Sequence, residues 1–223
     1  MSKRDGDHFP VNQELTIPLA KPGIHAYLPG MKASMTSSVS AIIFGALLAA
    51  VLIYVSPALA DQHNPRLSPL FERLMNKELS VAEAHEIEAQ IWSLWQPSGS
   101  DTTDLLLARA DDLLREEDTE SAISVLDEVV SLAPDYAEGW NKRATAHFLQ
   151  DDYTAALNDV ERTLRLEPRH FGAWSGLGTI LLTMGEDARA LRAYDHALQI
   201  NPHLEDIARE AKRLELKVRG QGI

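Results

Sequence analysis

The sequence predicts an all-α chain: a solenoid of short helix pairs, preceded by one extra pair and closed by a terminal helix. Three observations carry this. Pro134, Pro168 and Pro202 recur at an interval of 34 residues, and so do Ala122, Ala156 and Ala190. Each interval holds two apolar stripes at helical spacing, as in Trp174, Leu177, Leu181 and Leu182, then Ala190, Leu191, Tyr194, Ala197 and Leu198. Turn residues separate the stripes: Glu117-Asp118, Asp151-Asp152 and Gly185-Glu186. A fixed period of about 34 residues marks a stacked array of helix–turn–helix units.

The chemistry of one unit accounts for the pattern. The repeated alanine has no bulk, so the two helices approach closely there. The proline ends the second helix or opens the next connection, because it lacks an N–H and restricts the residue before it. One pair cannot cover its own apolar face, so neighbours must stack. Leu106, Trp140 and Trp174 share one register, as do Leu126, Val160 and Tyr194. The two tryptophans are expected to contribute most to packing, with Trp174→Ala costing about 3–5 kcal/mol.

The third unit reads Trp174-x-x-Leu177-Gly178, then Ala190, Tyr194, Ala197 and Pro202. This resembles the tetratricopeptide repeat. The second unit keeps Trp140, Ala144, Ala156 and Pro168, but has Arg143 and His147 where the family prefers an apolar residue and an aromatic. The first keeps Ala110, Ala122 and Pro134, with Leu106 in the tryptophan slot. The resemblance implies a right-handed α-solenoid with units at 103–136, 137–170 and 171–204. It also implies that the first helix of each unit lines a concave groove that holds a protein or peptide.

Positions 2, 5, 9 and 12 of those helices share a face. Counted from Thr103, Ala137 and Phe171 they are Asp104, Leu107, Asp111 and Leu114; Glu138, Asn141, Thr145 and Phe148; and Gly172, Ser175, Thr179 and Leu182. Acids cluster at one end, small hydroxyls at the other, with an apolar strip of Leu107, Leu114, Phe148 and Leu182 along it. Leu114 and Leu182 have a packing role as their alternative. Family members that grip a C-terminal carboxylate use lysine and asparagine at set positions. Here those positions hold Leu107, Asp111 and Thr145, so that activity is not carried over. Leucine, phenylalanine and aspartate suit a peptide with apolar and basic side chains.

The flanks follow in order. Residues 1–30, broken by Pro10, Pro18, Pro22 and Pro29, read as a disordered extension. Residues 31–60 have a basic start, an uncharged apolar run over 39–55 and the ending Ala58-Leu59-Ala60, which describes a signal peptide cleaved after Ala60. The alternative is an uncleaved anchor in the inner membrane, although the run spans only roughly 26 Å of a ~30 Å hydrocarbon core. Either reading exports the repeats, to the periplasm. Met31 to Ala60 is a complete leader in itself, so the expected translation start is Met31 or Met35 rather than Met1. A linker covers 61–67. Over 68–96, Ser68-Pro69 should open one helix and the capping box Ser80-x-x-Glu83 a second, forming an N-terminal capping pair. Over 205–218 a terminal helix carries Ile207, Ala211, Leu214 and Val218 inward, with Leu204 at its start, and Arg209, Lys212, Arg213 and Lys217 outward. The pair with Ile91-Trp92-x-x-Trp95 also resembles small exported bacterial tetratricopeptide proteins.

Composition narrows the function. The chain has 223 residues and a net charge of −12, with no cysteine. An acidic chain argues against nucleic acid, whose phosphates need a basic footprint. The lack of cysteine excludes disulfides, cysteine zinc sites and thiol catalysis. His85-Glu86 lacks the second histidine of a zinc-protease helix, since position 89 is alanine. His147, His196 and His203 stand isolated. Gly176-Leu177-Gly178 lies inside a helix with no preceding strand. Asp111-Asp112 and Asp151-Asp152 read as solvated or capping carboxylates. The expectation is therefore a non-enzymatic protein-interaction module of the cell envelope, with no cofactor and no metal. Membrane contact would come only through 39–55 if uncleaved. The alternative is a self-associating structural part, a homo-oligomer, or an accessory subunit of an envelope assembly system.

Overall fold

The computed structural model describes residues 64–220, and the expectations for residues 1–60 and for any cleavage site lie outside them. The described residues form nine α-helices and no strand: α1 (Leu67–Leu74), α2 (Val81–Trp95), α3 (Asp101–Arg115), α4 (Thr119–Leu132), α5 (Ala137–Leu149), α6 (Tyr153–Leu166), α7 (Phe171–Thr183), α8 (Asp187–Ile200) and α9 (Glu205–Gly220). Helices α3 to α8 are three successive pairs, and α9 closes the stack against α8.

The turn inside each pair is built the same way. The peptide N–H of Asp118, Asp152 and Glu186 reaches back to the carbonyls of Leu113, His147 and Leu181. The N–H one residue earlier reaches Leu114, Phe148 and Leu182. These two bonds satisfy carbonyls that the helix end leaves open. The geometry needs a left-handed residue between them, and Glu117, Asp151 and Gly185 have φ of 63°, 59° and 78°. Asp118 and Asp152 then cap the next helix through the N–H groups of Ser121 and Ala155. The Asp151-Asp152 pair is thus a turn and a cap.

The core shows why single pairs are insufficient. Leu107 and Ala110 of α3 meet Leu126 and Val129 of α4 and Ala146 of α5. Ala144, Ala156 and Val160 of the second pair meet Ala173 and Ile180 of α7. Leu181, Ala190 and Tyr194 of the third pair meet Ala211 and Leu214 of α9. Each apolar cluster takes its third wall from the following helix. Trp140 and Trp174 occupy matched places: each indole N–H donates to the carbonyl of the preceding proline, Pro134 at 3.0 Å and Pro168 at 2.9 Å. Both rings are only half-buried. Arg143 lies over Trp140 at 4.8 Å, and His196 stacks on Trp174 at 4.6 Å. Both clamp the turn, and Trp174 also packs against the third apolar cluster from a partly buried position.

Arg143 and His147 of α5, the polar departures in the second unit, have an internal explanation. Arg143 grips the carboxylate of buried Asp159 on α6 with two bonds of 2.8 and 2.7 Å, and donates a third to Asp127 on α4. His147 lies 3.8 Å from Asp159. At the corresponding places the third unit has Leu177, Leu181 and Ala193. One unit solved the same packing problem with ions, the other with carbon.

Two helix starts differ from expectation. Helix α1 begins at Leu67, with no side-chain cap, so Ser68 and Pro69 lie within its first turn. Proline is tolerated there because first-turn N–H groups have no helical partner. Helix α3 begins at Asp101, two residues before Thr103, because the Ser100 hydroxyl accepts from the Thr103 N–H. The capping box of α2 is present, with Ser80 and Glu83 bonded reciprocally.

The α1–α2 pair does not stack in front of α3. Its apolar face, with Phe71, Leu74, Ile87, Ile91 and Trp95, closes on Phe171 at the start of α7. Ile200 and Leu204, on either side of the last inter-unit turn, pack on the same cluster. Glu88 accepts the Asn201 amide at 2.6 Å, and the His203 Nε2 lies 3.0 Å from the Asn76 carbonyl. The reading of this pair as an end cap is corrected: it is a brace along the turns that begin α7 and α9.

Candidate protein-binding groove

The first helices of the three pairs, α3, α5 and α7, present side by side the face that the sequence marked. Between α5 and α7 it opens into a recess of about 220 Å³. Ala144, Phe148, Val160 and Ile180 form its apolar floor, and Asn141, Thr145 and Thr179 supply polar groups. Gly176 opens the α7 side, where an added Cβ would meet nothing within 4 Å. Phe148 is held by Tyr153, 5.9 Å away, so its ring is a fixed part of the wall. The Thr179 hydroxyl lies 3.2 Å from the Tyr194 hydroxyl, and burial pushes the Tyr194 phenol above its usual range.

A second recess, of about 300 Å³, lies between α3 and α5. Asp104, Leu107, Ala108, Asp111 and Lys142 line it. Lys142 donates to Asp111 at 2.7 Å, and Asp104 accepts from the Ser98 N–H at 2.7 Å. The acidic end is therefore partly self-neutralised.

The structure sorts the candidate residues. Thr145 is exposed, and Asp104, Asp111, Asn141, Phe148 and Thr179 are half-buried along the face, whereas Ser175 is half-buried and lines a separate cleft on the side toward α2. Leu107 has 6% of its surface exposed and packs in the first core cluster, so it is mainly a core residue that touches the recess. Leu114 and Leu182 pack against the first and third clusters, which is the packing role that their spacing also allows. Glu138 is buried, with 4% exposed, and has a structural task. It accepts from Asn141 at 3.1 Å and faces His170 Nε2 at 3.1 Å. His170 is fully buried, and its Nδ1 accepts the Ala173 N–H at 3.0 Å. That bond leaves the ring proton on Nε2, where it is donated to Glu138.

The brace walls the far end of the face. Trp95 stacks on His170, and Trp92 meets His170 and Phe171 edge-on. A Cβ at Gly172 would lie 2.9 Å from the Trp92 ring, so this residue, which lines the groove recess as its position suggests, is also the seat of an indole. The Tyr136 hydroxyl donates to the Gln96 carbonyl, which ties the end of α2 to the second unit. Burial, with Glu138 nearby, pushes the Tyr136 phenol well above its usual range. Sequence spacing missed these residues because the contacts span 40 to 113 positions. Two closely spaced tryptophans, Trp92 and Trp95, were the one visible sign.

A tetratricopeptide repeat model matches residues 107–163 and 150–205. A TPR repeat-containing protein of Rhizobium etli is 39% identical over 155 residues, covering 70% of this chain and 76% of that protein. Superkiller complex protein 3 of Mus musculus is 31% identical over 97 residues, 43% of this chain but only 6% of that protein. The Sgt2 TPR domain of Aspergillus fumigatus has a similar fold, with a TM-score of 0.52 at 21% identity over 55% of this chain and 83% of that one. The first TPR of Spaghetti (RPAP3), solved bound to an HSP90 peptide, superposes with a TM-score of 0.51 at 16% identity, covering 52% of this chain and 93% of that one. With the 34-residue period, the repeated turn geometry and a close relative along most of its length, the chain belongs to the tetratricopeptide repeat family.

Proposed function

We propose that this protein is a non-catalytic adaptor that holds a segment of a partner protein across α3, α5 and α7. The observation that carries the reading is the recess between α5 and α7, with its apolar floor and convergent Asn141, Thr145 and Thr179. An apolar cleft with a few placed polar groups is the usual form of a binding site. A protein of similar fold is described as bound to an HSP90 peptide. Here Leu107, Asp111 and Thr145 replace the cationic grip expected for a terminal carboxylate, so the segment is internal and carries apolar and basic side chains. The proposal extends to location: the pattern over 31–60 directs export, and the partner is met in the periplasm or at the inner membrane.

The test is affinity capture from the envelope fraction with the wild-type chain and with Thr145→Arg and Gly176→Arg. Both substitutions fill the recess from accessible positions. A partner lost with both variants supports the groove. An unchanged partner set removes it, and a concentration-dependent homodimer blocked by the same variants would favour self-association.

A further inference from the structure

We propose that the cleft bounded by α2, the start of α7 and the start of α9 is a second binding site, for an apolar side chain carried beside a lysine or arginine on a partner polypeptide. The cleft encloses about 570 Å³. It meets the groove recess only at Gly172. Its apolar surface comes from Trp92, Phe171, Leu204 and Ile207. Val81 stands at its edge with 57% of its surface exposed, an uncommon place for a large aliphatic side chain beside a cleft.

The charge of the walls selects the occupant. Glu88, Glu205 and Asp206 line the cleft together with His85 and His203, and among the described residues no lysine or arginine does. Glu88 accepts only a neutral amide, from Asn201. Asp206 pairs with Arg209 outside the cleft. Glu205 and Asp206 are exposed, so their field reaches an approaching chain. An apolar floor beside three carboxylates, with no lysine or arginine in the lining, is complementary to an apolar residue flanked by cations. The wall is fixed in advance, since Trp92 is seated on Gly172 and braced edge-on by Trp95 and Phe171. A preformed wall lowers the ordering cost of binding.

The probe is a fluorescein-labelled peptide of alternating leucine and lysine, titrated into the full chain by fluorescence anisotropy. Matched peptides carry glutamate for lysine or alanine for leucine. Binding of the leucine–lysine peptide is expected, with at least about tenfold weakening in the double variant Glu205→Lys/Asp206→Lys. Ser175→Trp, which fills the cleft, should weaken it similarly, and Thr145→Arg should leave it unchanged. The charge-reversal variant alters only exposed residues in the first turn of α9, and a helical circular-dichroism spectrum equal to the wild type's separates loss of charge from loss of fold. Absence of binding, or equal binding of the glutamate peptide, overturns the inference. Binding lost with Thr145→Arg but kept with Ser175→Trp also overturns it, while leaving the groove reading intact.

Discussion

The Trp95 indole and the His170 imidazole lie parallel, 4.4 Å apart at their centroids and 7° from coplanar. Through that stack the N-terminal brace is joined to the hinge between the second and third units. His170 is held on its other edges by Glu138 and by the Ala173 N–H. The brace is therefore keyed to one place on the solenoid by a ring whose two nitrogens are both committed.

Trp95 is 2% exposed, whereas Trp174 is half-buried at its turn. Chemical denaturation should show Trp95→Ala losing about 3–5 kcal/mol. Trp174→Ala, which gives up one hydrogen bond, part of a stacked face and its partly buried contact with the third cluster, should lose about 1–3 kcal/mol. The reverse order would place the main core at the repeat tryptophans after all.

The ionic packing of the second unit makes a double-substitution test available. Arg143→Leu leaves Asp159, whose side chain is 5% exposed, with no strong cation, and should cost about 3–5 kcal/mol. Arg143→Leu/Asp159→Ala copies two of the three positions at which the third unit is apolar and should recover most of that loss. If the double variant is as unstable as the single one, the ion cluster is not an interchangeable packing solution.

Two neighbouring glycines should respond oppositely. A Cβ at Gly178 would lie 2.3 Å from the Tyr194 ring, so Gly178→Ala should destabilise by about 1–3 kcal/mol. Gly176 has open space before it, and Gly176→Ala should stabilise the helix by about 0.5–1 kcal/mol. Thermal melts of both variants check the sign of each.

Acid should weaken the fold through specific carboxyls. Ser80 bonds hold Glu83 below its ordinary value, Ser121 does so for Asp118, and Arg213 for Glu210. A folded pKa below the unfolded one means that the unfolded chain takes up the proton first. The stabilisation is complete above the unfolded values, about 4.5 for glutamate and 3.8 for aspartate, and is lost as pH falls through the folded ones. Ser80→Ala should make the acid slope of stability shallower, and an unaltered slope would show that the capping box adds nothing there.

The repeat was legible because its period, its alanines and its turns are local matters of spacing. The capping box at Ser80 and Glu83 was legible for the same reason. The stripe Ile87, Ile91, Leu94 and Trp95 announced a buried face but not its partner, since a stripe records burial without direction. Hence spacing alone suggests an end cap, whereas the partners of the brace are His170, Phe171 and Asn201. The groove was legible only as a face. Spacing puts Leu107 and Glu138 on it by angle, yet both are buried, because the depth of each side chain depends on the next helix. Glu138 gave no sign that its partner stood 32 positions away.

The most direct test places a photo-crosslinking amino acid at Thr145 in the recess, at Ala108 beside the α3–α5 recess, and at Glu128, an exposed residue of α4 outside both. Irradiation of cells should trap the same partner polypeptide at Thr145 and Ala108 and none at Glu128. Equal trapping at all three positions, or none at Thr145, would contradict the groove as the surface on which this protein works.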